Sequence, residues 1–595
     1  MRVADYIMQR LAQIGIGHVF LVTGRGALFL TDALAKHPQL TPVPVHHEQS
    51  ASYAATAYAY RTGGVGACLV STGCASTNAV TGVLSAWQDG IPCIFISGQN
   101  TLKETTRFTG IPLRTYGQQE ADIISIVQPI TKYARMITSA DEIVEAMDQA
   151  LMLANSGRKG PVWIDVPLDL QSAQIDVDAL SASATSDIKE PPKASRETID
   201  AVAGALAKAN RPTLLIGSGV RSSGSEAKLK QFAKRWNIPV TYAPSAPDTF
   251  GSADALSIGS VGAMGCSRAG NFAVQNADLV LVLGCRLTSL VTGTEFCKFA
   301  RDAKTIVVDI DAIEHTKDTI RIDQLVHSDL AAFLEDINQY EPHMVPTEWV
   351  EKCQHWKAIF SGVEPEFKDP EKVDLYELAH CLSDMLPASA ALVTDSGLNE
   401  VILPSNVRFA EGMDCVHPAM QGAMGFALPA AIGAYFAKPG PVIAVIGDGS
   451  IMMNLQEMET IRYHKLPIKI IVINNNVYSI IRRRQQDLFR KRIIGTDPAN
   501  GVSCPDFSKV ATCFDLDYIA IDSPDMLQEG IADLLKRDGP TLCEIRGRED
   551  QEYIELGHAR SVVDRRFVRR PLEDQTPFLN RELFLSEMIV EAIDQ

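Results

Sequence analysis

The chain has 595 residues, 46% of them hydrophobic and 21% charged, with a formal net charge of −17. That length allows about three or four domains, each with a core of ordinary size. The acidic balance disfavours a nucleic-acid partner, and no apolar run is long enough to span a bilayer.

The N-terminal stretch MRVADYIMQRLAQIG reads as an amphipathic helix and lacks the basic start and cleavage site of a signal peptide, so a cytoplasmic location is expected. Twelve cysteines carry no CxxC pair. Cys68, Cys93, Cys285 and Cys543 fall in strand-like runs, as buried free thiols do. From residue 1 to 175 the runs HVFLVT, GACLVST, PCIFISG and PVWIDVP alternate with helical stretches, which predicts a parallel sheet flanked by helices. Residues 181–195, with Pro191-Pro192, read as a linker. A second α/β unit over 192–345 contains RPTLLIGSG, ADLVLVLGCR and TIVVDID. Its strand-end glycines Gly217, Gly219 and Gly284, with Gly262, permit close approach to a pyrophosphate, and Asp309 could accept from a ribose hydroxyl or adenine amine near Arg286. GSG alone is a weak signal, and an empty Rossmann-like unit kept for packing is the alternative. A third unit, 370–550, begins near ALVTDSG. The first and third share a strand, glycine turn, helix, strand plan, which hints at an old duplication. The tail, 551–595, carries Arg560, Arg565, Arg566, Arg569 and Arg570 before a short amphipathic helix. It is expected to pack on the surface, with a lid or anion-binding role as the alternative.

The most informative stretch is 442–478, two apolar runs joined by a helix-period segment. Parallel strands with a crossover helix would bring both run ends to one sheet edge, where such sheets bind ligands. Asp448 offers a carboxylate and Asn475 an amide oxygen, hard donors of the kind Mg²⁺ accepts, while Gly447 and Gly449 let a phosphate approach the backbone. A lone GDG is more often a strand-end turn; one followed at this distance by a second strand and an Asn pair is rarer. Glu48, at the start of an Ala-rich helix, would by itself be a dipole-favourable charge worth about half a kcal/mol.

Taken with HEQSASYAATAYAYR, GVGACLVSTGCASTNAVTGVLSAWQDGIPCIFISGQ and MQGAMGFALPAAIGAYF, the stretch resembles the acetolactate synthase branch of the thiamine-diphosphate enzymes, over roughly residues 1–550. The resemblance implies an α/β protein of three parallel-sheet domains plus a C-terminal tail: pyrimidine-binding, central and diphosphate-binding. It implies thiamine diphosphate with Mg²⁺ on Asp448, Asn475 and the Val477 carbonyl, and a diphosphate loop of Ser396, Gly397 and Asn399 beside Gly447, Gly449 and Ser450. Met424 would prop the cofactor. Glu48, in an apolar setting that raises its pKa, would share a proton with the aminopyrimidine. Gln119 would face the substrate, although Gln118 replaces the usual phenylalanine before it. FAD is expected at Gly217, Gly219, Gly262, Gly284, Arg286 and Asp309. A homodimer or homotetramer is implied, with Glu48 of one chain serving the cofactor held by Asp448 of another.

The sequence also departs from that branch. Arg484, within Ile481-Arg482-Arg483-Arg484, stands where a tryptophan selects a 2-keto acid acceptor. Leu290 replaces an arginine in RLTSLV, and Arg25 replaces a glycine in TGRGAL. Guanidinium groups suit phosphates, so Arg25, Arg482 and Arg484 are candidate acceptor residues, with a solvated basic turn as the alternative. The pattern, tail included, is similar to carboligases acting on nucleotide-linked 4-keto-6-deoxy sugars of the yersiniose type. The expected activity is decarboxylation of pyruvate and transfer of its two-carbon unit to a carbonyl acceptor. Acetolactate synthase proper and a 2-keto acid decarboxylase or oxidase are the alternatives.

Overall fold

The computed structural model describes residues 1–181, 190–490, 492–560 and 566–593. Most of the expected linker and Arg565 lie outside these residues. Three six-stranded, wholly parallel sheets follow one another along the chain, each flanked by helices. The first contains β1 (His18–Leu21), β2 (Thr41–Pro44), β3 (Gly66–Val70), β4 (Cys93–Gln99), β5 (Tyr133–Met136) and β6 (Val162–Pro167), in the order 2-1-3-4-6-5. The second contains β7 (Pro212–Ile216), β8 (Val240–Tyr242), β9 (Ser257–Ser260), β10 (Leu279–Leu283), β11 (Lys304–Asp309) and β12 (Gln324–His327), in the order 12-11-10-7-8-9. The third contains β13 (Ala391–Thr394), β14 (Asp414–Val416), β15 (Val442–Gly447), β16 (Lys469–Asn474), β17 (Asp517–Ile521) and β18 (Thr541–Arg546), in the order 14-13-15-16-18-17.

The first and third sheets thus share one strand order, as the duplicated plan in their sequences suggests. The second has the doubly wound order of dinucleotide-binding folds. Strands such as β10 and β15 are continuous apolar runs because helices cover both faces of the sheet.

The helix Glu48–Thr62 joins the first and third domains. His47 caps its start by accepting from the Gln49 amide at 3.1 Å, and Gly63 ends it in the left-handed region at φ 70°. Its alanines are buried on every side, because the helix Ala427–Ala437 crosses it with backbones in contact. A Cβ on Gly433 would lie 2.0 Å from the Ala54 carbonyl oxygen. One apolar core consequently runs through both domains.

The tail packs on the central domain. Arg268 donates to the Gln575 carbonyl at 3.1 Å, Gln275 to Glu573 at 2.6 Å, and Glu587 accepts from Lys352 and Trp356. Phe584 is buried against Phe272. All four cysteines read as buried thiols are buried and free. Among the described residues no helix is long and apolar enough to cross a membrane.

Candidate functional site

Parallel sheets of these orders bind ligands at the carboxyl edge, where the order of connection reverses. In the third sheet that point lies between β13 and β15, and the loops that leave these strands carry Ser396, Gly397, Asn399, Gly447, Asp448, Gly449 and Ser450. A Cβ on Gly447 would lie 3.7 Å from the Asn399 amide nitrogen, so the two loops face each other.

Asp448 is 4% exposed. Its carboxylate accepts from the Gly449 amide at 2.7 Å and the Asn476 amide at 2.5 Å, which draws the loop after β16 onto it. Asn476 takes the left-handed backbone this needs, at φ 55°, which asparagine tolerates. Burial pushes the Asp448 carboxyl up to about 6, against the backbone donors that pull it down. A buried carboxylate with no ion-pair partner among the described residues, bonded by the Asn476 amide to the turn that carries Asn475 and Val477, offers with them hard oxygen donors of the kind Mg²⁺ accepts. The Asn475 amide group donates to Ser479 at 2.7 Å while its oxygen accepts from the Val477 amide. Gly449 is required for another reason: its Cβ would fall 2.0 Å from the Tyr478 ring.

Asp395, which the sequence reading passed over, is the hub behind this loop. It is fully buried and accepts from Ser450 Oγ at 2.8 Å and from the Gly425 and Ala427 amides at 3.2 and 3.4 Å. It thereby ties the half-buried Met424 turn to the GDGS turn. Burial pushes its carboxyl up to about 8, and one of its oxygens has no partner.

In the first sheet the reversal lies between β1 and β3. The loops there carry Arg25 and residues 71–73, and Gln118 and Gln119 fold over them. A Cβ on Gly73 would strike the Gln119 carbonyl oxygen at 1.6 Å, and Gln119 itself takes φ 61°. Glu48 follows β2 on the same edge. It is half-buried and accepts from Asn78 at 2.9 Å, a polar setting within one chain rather than the apolar one expected. Among the described residues no hydrogen bond or ion pair links Glu48 to Asp448 or Asn475; its neighbours Gln49 and Ser50 instead bond Asn454 at 3.1 Å.

In the second sheet the reversal lies between β7 and β10. The Gly217 amide donates to the Leu283 carbonyl, the Gly219 amide to the Gly284 carbonyl, and Gly284 takes φ 56°. These glycines are needed first for contact between the two strand ends, since a Cβ on Gly217 or Gly219 would come within 2.4 or 2.7 Å of Gly284. A cavity of about 940 Å³ opens beside them at the meeting of all three domains, and Gly219, Gly284, Arg286 and Asp309 line it. Its size fits a dinucleotide. Gly262 is not among the lining residues but abuts Leu290, whose carbonyl oxygen its Cβ would meet at 2.6 Å, in a turn whose backbone bonds Asn271 and Gln575. Leu290 lines the cavity.

The arginine run lies on the helix Ser479–Phe489 and is not a free basic rim. Arg482 pairs with Glu549 at 3.2 Å and Asp497 at 3.5 Å, and Glu555 pairs with Arg483 at 3.0 Å and Arg484 at 3.4 Å. Asp497 and two acids from beyond β18, Glu549 and Glu555, pair with it.

Comparison with known proteins agrees with this arrangement. Three family models match: the N-terminal TPP binding domain of thiamine pyrophosphate enzymes over residues 1–126, the central domain over 199–337 and the C-terminal TPP binding domain over 395–545. The acetolactate synthase isozyme 1 large subunit of Escherichia coli is 31% identical, covering 91% of this chain and 93% of that one. The acetolactate synthase large subunit of Parasynechococcus marenigrum is 30% identical, covering 92% and 88%.

Proposed function

The chain belongs to the thiamine pyrophosphate enzymes of the acetolactate synthase-like kind, and from that we propose that it decarboxylates pyruvate and joins the resulting two-carbon unit to the carbonyl of a second substrate. The observation that carries this reading is the convergence of Asp448, Asn475, Asn399 and the buried Asp395 on one strand-order reversal. When bound there, thiamine diphosphate would supply a carbon nucleophile and an electron sink, its diphosphate neutralised by Mg²⁺.

The chain's own residues would do the following. Asp448, Asn475 and the Val477 carbonyl hold the metal. Ser396, Gly397 and Asn399 offer the diphosphate a loop with an open glycine backbone. Met424 supports the ring system from the turn that Asp395 and Ser450 fix. Glu48 holds a proton at the aminopyrimidine N1′, and Gln119 orients the substrate. FAD in the three-domain cavity, against Gly219, Gly284, Arg286 and Asp309, belongs to the same reading, and an absorbance spectrum of the purified protein tests it. So does a cytoplasmic assembly of two or four chains in which Glu48 serves a neighbour's cofactor.

For the acceptor we favour a nucleotide-linked 4-keto-6-deoxy sugar, because the resemblance puts at position 484 a tryptophan that selects a 2-keto acid and this chain has an arginine there, its charge paired with Glu555. The names of the relatives favour pyruvate as the second reading. The two separate in one experiment: incubation with pyruvate and Mg²⁺–thiamine diphosphate, with and without the sugar nucleotide, followed by acid treatment and assay for acetoin. The expected result is little acetoin from pyruvate alone and a sugar nucleotide heavier by the two-carbon unit. Abundant acetoin with an unchanged sugar nucleotide establishes the second reading, and no carbon dioxide release from pyruvate overturns both.

A further inference from the structure

Resting on the carboligase reading above, the strand-order reversal of the first sheet becomes informative, because it holds a guanidinium with no acidic partner among the described residues. Gly24 and Gly26 are pinned against the loop after β3: a Cβ on Gly24 would lie 2.5 Å from Ser71, and the Gly26 amide donates to Ser71 Oγ at 3.0 Å. Between them Arg25 projects outward. Its one hydrogen bond among the described residues runs from the guanidinium to Gln118 Oε1 at 2.7 Å. Gln118 is itself anchored, its carbonyl accepting from Asn100 Nδ2 at 3.0 Å.

The arginines of the helix Ser479–Phe489 are all paired with acids, whereas no carboxylate of the described residues lies within ion-pair distance of Arg25. The acid that shares its crevice, Glu104, accepts from Thr101 at 2.6 Å instead. The side-chain amide of Gln119 also has no partner among the described residues. The crevice these groups line measures about 20 Å³, room for one oxygen atom. An uncompensated guanidinium held by a neutral amide, beside a second free donor, is built to receive an oxyanion from outside the chain.

We propose that this crevice is the oxyanion subsite of the substrates, with Arg25 as the cation that binds and Gln118 as the residue that aims it. The oxyanion is either the carboxylate of the 2-keto acid donor or a phosphate of the acceptor, and one set of measurements tells them apart. Oxamate, an unreactive isostere of pyruvate, inorganic phosphate and a nucleoside diphosphate are titrated calorimetrically into the full chain loaded with Mg²⁺ and thiamine diphosphate, as wild type, Arg25→Gln, Arg25→Lys and Gln118→Glu. Arg25→Gln weakens one class of probe about tenfold or more, the factor carried by one charge-assisted hydrogen bond, and leaves the other class unchanged. Loss confined to oxamate assigns the donor carboxylate; loss confined to phosphate and the nucleotide assigns the acceptor. Arg25→Lys recovers part of the loss. Gln118→Glu reproduces it with the guanidinium still present, because the new carboxylate takes up the charge, which a packing role for Arg25 would not cause. Equal binding of every probe by wild type and Arg25→Gln, or no binding of any probe by wild type, overturns the proposal. Failure of wild type to release carbon dioxide from pyruvate would overturn the reaction instead, and the binding measurements would still decide the role of Arg25.

Discussion

Asp395 carries more of the site than its place in a short turn suggests. Among the described residues it has three donors on one oxygen, none on the other and no counter-ion, so burial outweighs its hydrogen bonds and the carboxyl rises from 3.8 to about 8. Between those two values the folded chain holds a proton that the unfolded chain has released, so this group makes stability fall as pH rises through that window. Asp395→Asn keeps the shape and removes the titration. Thermal midpoints of the two proteins should therefore diverge from pH 5 to pH 8, the wild type losing more. Parallel curves would mean that Asp395 stays ionised in the folded chain.

At the scale of elements, the helix pair Glu48–Thr62 and Ala427–Ala437 is held at backbone contact by small residues. Gly433→Val would drive a branched side chain into the Ala54 carbonyl and separate the helices. The expected cost is about 1–3 kcal/mol, read as a lowered midpoint of chemical unfolding, since overpacked cores lose stability on that scale. A midpoint unchanged by the substitution would show that the contact relaxes freely. The sequence identified the helix from Glu48 through its alanine content but not its partner, because no local pattern names a contact made hundreds of residues away. The strands were legible for the opposite reason: β10 and β15 are apolar runs and β16 is apolar between Lys469 and Asn474, and a strand's burial is written in its own residues. The GDG turn and the Asn pair were likewise local signals. Asp395 was hidden because an acid followed by Ser-Gly reads as an ordinary turn. The pairing of the arginine run was not legible because its partners Glu549 and Glu555 lie 67 and 71 residues further on.

Across the whole molecule, each sheet brings some of its candidate residues to its strand-order reversal, and the three domains are then clamped by one charge cluster. Asp414, beside β13 in the third sheet, accepts from Arg61 of the first domain at 2.9 Å and pairs with Arg221 of the central domain at 3.3 Å, which also pairs with Asp248 at 2.8 Å. Arg61 is wholly buried at its side chain, and Arg61 and Arg221 both line the 940 Å³ cavity. Arg61 also donates twice to the helix Ala427–Ala437 and its end, at the Ala434 and Lys438 carbonyls. Removing the acid leaves a buried cation with only neutral acceptors, the costly half of a broken ion pair. Asp414→Ala should therefore destabilise the chain by about 3–5 kcal/mol. Because the lost contacts are the ones that cross domain boundaries, the loss should appear as unfolding that splits into separate domain transitions in calorimetry, while Asp414→Asn, which keeps an acceptor for Arg61, should keep more of the cooperativity. A single transition at the wild-type temperature in Asp414→Ala would mean that the apolar core shared by the first and third domains holds the assembly without the charges.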